Sequence, residues 1–106
     1  MIKHIVCFKL QDNSLENCQK AKEVLESMRG NVPMLVKMNV GIDFLHSARS
    51  YDIILETYFK TREDLDNYQK DPYHCNVVKK HMHANASASI AIDYVCLLYT
   101  SPSPRD

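Results

Sequence analysis

The sequence predicts an α+β fold in which a four-stranded antiparallel sheet carries its helices on one face. Four segments with alternating apolar residues indicate strands, and segments with apolar residues three or four positions apart indicate helices. These segments follow one another in the order βαββαβ, which is typical of ferredoxin-like folds. A length of 106 residues fits one small domain.

The first strand and the first helix are predicted from residues 3–28. Residues 3–10 alternate as a strand does, and one face of this strand carries His4, Val6, Phe8 and Leu10. Asn13 and Glu16 resemble a capping box, so a helix is predicted from there to about Met28, and Gly30 and Pro33 end it.

The second and third strands flank a polar connection. Met34 to Ile42 alternates apolar and polar residues, residues 43–50 form the connection, and Tyr51 to Phe59 is the third strand. The third strand is apolar on both of its faces, a pattern that indicates burial on both sides.

A proline divides the second helical region. Thr61 and Asp64 predict the start of a short helix, and Asp71-Pro72 predicts its end and the start of a second segment that runs to about Ala84. The fourth strand is predicted from Ala88 to Val95.

The apolar pattern also predicts a homodimer. Helices on one side of the sheet cover one face, yet the first and third strands are apolar on both faces. A second copy of the sheet is the simplest cover, so we expect a homodimer through the open face of the sheet.

Composition argues against several classes of partner. Thirteen basic residues balance thirteen acidic ones, so no nucleic-acid partner is expected, and the Lys79-Lys80-His81 group is expected on a solvated helix face. No segment is long and apolar enough to predict a membrane span. The four cysteines show no CxxC spacing, which favours reduced thiols and a cytoplasmic location.

The last ten residues differ from the rest of the chain. Residues 97–106 include SPSP, a coil composition, and they resemble translated adapter sequence. We therefore predict a domain over residues 1–96, followed by a disordered, non-native tail over residues 97–106.

Tyr68 and His74 are the candidate catalytic residues. The predicted helix start at Pro72 places His74 in a positive backbone potential, which disfavours its imidazolium form. A neutral imidazole can act as a general base, and the Tyr68 phenol can donate a hydrogen bond to a forming oxyanion. The alternative is structural: His74 packs at a helix start and Tyr68 covers the core.

A pocket is predicted between the sheet and the helices. Its expected lining is His4, Val6, Phe8, Tyr68, His74 and Asp93. The alternative for His4 is a structural role as a buried core histidine. Asp93 either orients a histidine or faces solvent. His74 and His81 lie two helical turns apart, too far for one zinc ion, so no metal site is predicted. No other cofactor is predicted either, since the chain has only Gly30 and Gly41 and no Gly-rich phosphate loop.

Several stretches resemble the stress-responsive α/β-barrel (Dabb) domain family. They are KHIVCFKL at 3–10, GIDFLHSARSYDIIL at 41–55, DLDNYQKDPYHCNVVKKH at 64–81 and IDYV at 92–95. The resemblance implies a dimeric α+β barrel. A plant polyketide cyclase of this family performs an aldol condensation without metal or cofactor. Its catalytic tyrosine and histidine match Tyr68 and His74, and its pocket histidine and aspartate match His4 and Asp93.

The chain departs from that cyclase on the first helix. Where the cyclase has aromatic residues, this sequence has Ala21, Lys22, Val24 and Leu25. A long polyketide is therefore not the expected substrate. The leading hypothesis is a protein that binds or transforms a small carbonyl-containing metabolite by cofactor-free His/Tyr acid–base chemistry. The alternative is a non-enzymatic stress-response or interaction module, and a monooxygenase-like activity has no positive support in the sequence.

Overall fold

The elements of the fold follow the predicted order. The structure is a computed structural model that describes residues 1–96. Its elements are β1 Ile2–Leu10, α1 Leu15–Glu26, β2 Lys37–Ile42, β3 Ile53–Phe59, α2 Arg62–Lys70, a π-helical turn His74–Lys79, α3 Lys80–Asn85 and β4 Ala86–Val95. The strands form one antiparallel sheet in the order β2-β3-β1-β4, which confirms the predicted ferredoxin-like fold. The predicted tail, residues 97–106, lies outside the described residues.

The central strand β1 sets the register of the sheet. It pairs with β3 on one side and with β4 on the other, so that His4 lies opposite Thr57 and Asp93. The Thr57 hydroxyl donates to the His4 carbonyl at 3.2 Å. His4 thus reaches the helix-facing side of the sheet from a strand that is hydrogen-bonded along both edges, a rigid position for a polar side chain.

Element boundaries differ from the predictions by a few residues. The cap of α1 is Ser14, whose hydroxyl accepts from the Asn17 amide N–H, whereas the Asn13 side chain donates to buried Asp52 at 3.1 Å. Helix α1 ends at Glu26, ahead of the predicted Met28. Strands β2 and β3 begin later than predicted, and β4 begins two residues earlier.

The helix break at Pro72 occurs where the sequence predicts it. Thr61 caps α2 by accepting from the Asp64 N–H, and the Asp71 carboxylate accepts from the His74 N–H at 2.9 Å. The next turn was not predicted: residues His74–Lys79 are π-helical, with bonds from residue i to i+5. Apolar periodicity does not reveal such a turn, because it assumes 3.6 residues per turn throughout.

The helices cover one face of the sheet. The residues at the centre of this core are Leu25, Met28, Phe59 and Tyr68, each 0% exposed. On the other face, β4 leaves Ile90 51% and Ile92 62% exposed. Over residues 1–96, no helix has the length and apolar character needed to cross a membrane.

Two leucines of α1 give a matched test of this core. Leu25 is completely buried, whereas Leu15 is 66% exposed on the same helix. Leu25→Ala should lower the free energy of unfolding by about 2–5 kcal/mol, because it leaves a cavity in a packed interior. Leu15→Ala should change it by no more than about 0.5 kcal/mol. Urea unfolding of both variants measures the difference, and equal losses would contradict this assignment of the core.

Candidate functional site

A cavity of about 380 Å³ lies between the sheet and the segment that follows Pro72. Its strand wall includes His4, Val6, Phe8 and Asp93, and its helical wall includes Tyr68 and His74. The structure thus brings all six predicted pocket residues together. They come from β1, from α2 and the π-helical turn that follows it, and from β4, three regions that are far apart in the sequence.

The His74 ring is held by a carbonyl that the helix break sets free. In a continuous helix, the Tyr68 carbonyl would accept from the N–H of residue 72, but Pro72 has none. The carbonyl accepts instead from the Asp71 N–H at 3.1 Å and from His74 Nδ1 at 3.0 Å. Because a carbonyl oxygen only accepts, Nδ1 carries the proton and Nε2 keeps its lone pair.

Burial keeps His74 neutral. It lowers the pKa of His74 from 6.5 to about 4, and the positive charge of Lys79 acts in the same direction. The Tyr68 carbonyl and Asp71 oppose this shift without cancelling it. His74 is therefore a neutral imidazole at pH 7, with desolvation as the main cause and not the helix terminus invoked from the sequence.

Tyr68 is buried in the core and packs against the ring of His74. Its ring stacks on the imidazole with centroids 3.9 Å apart and an interplanar angle of 19°. Tyr68 is 0% exposed, and its hydroxyl donates to Met28 Sδ at 3.7 Å. Burial raises the pKa of the Tyr68 phenol well above its usual range, so the group stays protonated and remains a donor.

His4 forms a pair with Asp93. The two residues are opposite each other on β1 and β4, and His4 Nδ1 hydrogen-bonds to Asp93 Oδ1. The His4 side chain is 9% exposed, and that of Asp93 is 47% exposed. Of the two roles that the sequence left open for Asp93, the structure favours orienting a histidine. A carboxylate that accepts from Nδ1 fixes the tautomer of a neutral imidazole, so that Nε2 carries the lone pair.

Sequence reasoning missed two basic residues of the cavity. Lys79 and His83 both line it, although Lys79 was expected on a solvated face with Lys80. Lys80 is indeed exposed, but the π-helical turn brings its neighbour Lys79 to the helical wall. Across the described part of the chain, no group of three or more His, Cys, Asp or Glu side chains is arranged to hold a metal ion.

The low pKa of His74 predicts a pH-dependent stability. Between pH 6.5 and about 4, the unfolded chain binds a proton at His74 that the folded protein does not. This contribution to the free energy of unfolding is therefore complete above pH 6.5 and is lost as the pH falls to about 4. Urea unfolding should show a shallower pH dependence for His74→Gln than for the wild type. A His74 Cε1 resonance that titrates near pH 6.5 would contradict the assignment.

Comparisons with solved structures agree with this fold. A dimeric ferredoxin-like protein of unknown function from Bacteroides fragilis is 26% identical, with a TM-score of 0.75 over 88% of this chain and 93% of that chain. A dimeric ferredoxin-like protein of unknown function from Thermobifida fusca is 19% identical, with a TM-score of 0.77 over 90% of each chain. The hydroxynitrile lyase from Passiflora edulis is 14% identical, with a TM-score of 0.76 over 93% of this chain and 96% of that chain.

The family comparison decides the classification. No curated protein matches the chain. The family model described as the stress responsive A/B barrel domain (Dabb) matches residues 2–96, which include every element of the fold and every residue of the cavity. The sequence resemblance is thereby confirmed, and the chain belongs to the stress responsive A/B barrel domain family.

Proposed function

We propose that the protein binds a small carbonyl-containing compound in this cavity and moves a proton next to the carbonyl without a cofactor. The observation that carries the proposal is the pair of imidazoles, His4 and His74, in one cavity. Each has its Nδ1 engaged by a fixed partner, and each therefore presents Nε2 as its basic nitrogen.

The stronger candidate for the base is His4. Proton abstraction turns a neutral imidazole into an imidazolium, and the Asp93 carboxylate stabilises that charge directly. Burial disfavours the same charge on His74. We therefore transfer the role of base, assigned to His74 from the sequence, to His4. His74 then remains a neutral hydrogen-bond acceptor in the same cavity.

Tyr68 remains the proposed donor to the oxyanion. The present partner of its hydroxyl is the Met28 sulfur, a thioether and hence a weak acceptor. An oxyanion forms a much stronger hydrogen bond with the same group, so a bound enolate outcompetes the thioether. The raised pKa keeps the phenol protonated, which a donor requires.

The size of the cavity favours a small ligand. Its 380 Å³ is near the lower end of the range for small-molecule sites, about 300–1,000 Å³. The hydroxynitrile lyase from Passiflora edulis supports an enzymatic use of this fold, but an identity of 14% supports no particular reaction.

We further propose a cytoplasmic homodimer that buries the open face of the sheet. Similar structures from two bacteria are described as dimeric, and β4 exposes Ile90, Ile92 and Tyr94 on this face. A second copy that covers these side chains removes a contiguous apolar strip from water. The four free cysteines support a reducing compartment.

Hydrogen exchange next to a carbonyl tests the chemistry without knowledge of the product. In D2O, the protein should accelerate exchange of the protons next to the carbonyl in at least one member of a panel of small ketones, oxo acids and their esters, followed by proton NMR. His4→Gln should slow this exchange by about a hundredfold or more, because it removes the general base. Tyr68→Phe should slow it without preventing binding.

The control for this experiment is an exposed histidine of the β2–β3 connection. His46 lies outside the cavity. The His46→Gln variant should therefore catalyse proton exchange in the active compound at the wild-type rate. If no compound exchanges faster with protein than in buffer, the catalytic proposal fails and the non-enzymatic module is favoured. If His74→Gln abolishes exchange and His4→Gln does not, the base is His74.

Sedimentation equilibrium tests the dimer. The wild type should be dimeric at micromolar concentration, and Ile92→Glu should be monomeric because it places a charge in a desolvated interface. Leu15→Glu is the matched control: Leu15 is as exposed as Ile92 but lies on α1, away from the open face, so this variant should stay dimeric. A monomeric wild type would contradict the proposed assembly.

A further inference from the structure

The π-helical turn determines which residues share a wall with His74. In a regular α-helix, Lys79 would lie about 140° around the axis from His74, and His83 about 180°. Both nevertheless line the same cavity as His74. The i to i+5 bonding of residues His74–Lys79 widens this turn and brings residues five apart onto one side. The turn therefore brings Lys79 onto the side of His74, and His83 of α3 lines the same cavity.

The Lys79 ammonium is an unneutralised charge beside this cavity. No carboxylate among residues 1–96 forms an ion pair with it, whereas the nearby His4 has Asp93 as its partner. Its positive charge also lowers the pKa of His74, so the ammonium lies within electrostatic range of that imidazole. A lysine in this position attracts an anion into the cavity.

We propose that the ligand of this cavity is a carbonyl compound with a carboxylate, a small oxo acid, and that Lys79 binds the carboxylate while the carbonyl end faces His4. The proposal rests on the proposed function and deepens it. A single ammonium is a compact point charge that suits one carboxylate. The cavity lining contains no arginine fork of the kind that recognises phosphate bidentately.

The charges of the two walls set the orientation of the ligand. Asp93 belongs to the strand wall and repels a carboxylate, whereas Lys79 belongs to the helical wall and attracts one. An oxo acid therefore binds with its carboxylate toward the helical wall. Its carbonyl end then lies on the strand side, where the His4–Asp93 pair provides the base.

Matched acids and esters test the inference directly. The probes are pyruvate, levulinate and phenylpyruvate, each with its methyl ester, titrated into the protein while the His4 and His74 side-chain resonances are followed by NMR. At least one acid should bind about tenfold more tightly than its ester, as expected for a charge-assisted hydrogen bond. Added salt should weaken the binding of the acid and leave the binding of the ester unchanged.

Variants of two adjacent lysines separate a specific contact from general attraction. Lys79→Met should reduce binding of the acid to that of its ester, and Lys79→Arg should restore it. Lys80→Met removes the same charge from an exposed position outside the cavity and should have no effect. Unchanged binding of the ester by Lys79→Met shows that the cavity is intact in that variant.

The possible results distinguish this inference from the proposed function. If each acid and its ester shift the His4 and His74 resonances with equal affinity, the role of Lys79 is wrong while the cavity remains a carbonyl site. If Lys80→Met weakens binding of the acid as much as Lys79→Met does, the inference also fails. If none of the six compounds shifts either histidine, the oxo-acid class is wrong, and the exchange panel decides the proposed function on its own.

Discussion

The missing N–H of Pro72 is the constraint on which the candidate site depends. It leaves the Tyr68 carbonyl without its helical donor, and the carbonyl then accepts from Asp71 and from the His74 ring. That second bond fixes the His74 tautomer and holds the imidazole against the Tyr68 ring. One backbone interruption thereby determines the position, orientation and tautomer of a side chain. The Asp71 carboxylate, which accepts from the His74 N–H, secures the start of the new segment.

The second imidazole is placed by the sheet and not by a helix. His4 meets Asp93 because β1 and β4 pair in a register that makes these residues direct neighbours. A slip of one residue would turn Asp93 to the open face and leave the His4 side chain unpaired on the helix side. The helix break and the strand register are independent structural features. The cavity lies between the residues that each of them positions. The arrangement therefore joins residues that are 89 positions apart in the chain.

Local patterns predicted the elements well, because caps, alternation and proline act over a few residues. Thr61, Asp71 and Pro72 function as their residue types indicate. Three features of the site depend on longer-range structure and were not predictable. The π-helical turn moves Lys79 into the cavity without any change in composition. The contact between the Tyr68 hydroxyl and Met28 requires the turn after α1, where Met28 lies, to pack against α2. The main cause of the low pKa of His74, its burial, appears only once the core is assembled.

The two faces of β4 connect the proposed dimer with the proposed chemistry. Alternate residues Ser89, Ala91 and Asp93 line the cavity, while Ile90, Ile92 and Tyr94 occupy the open face. Within residues 1–96, β4 is an edge strand whose one neighbour in the sheet is β1. Such a strand opens more readily than a central one, and its opening separates Asp93 from His4. A second subunit that buries Ile90 and Ile92 makes that opening more costly. In the proposed homodimer, the second subunit thus stabilises the His4–Asp93 pair on which the proposed base depends, although the two surfaces lie on opposite sides of the sheet.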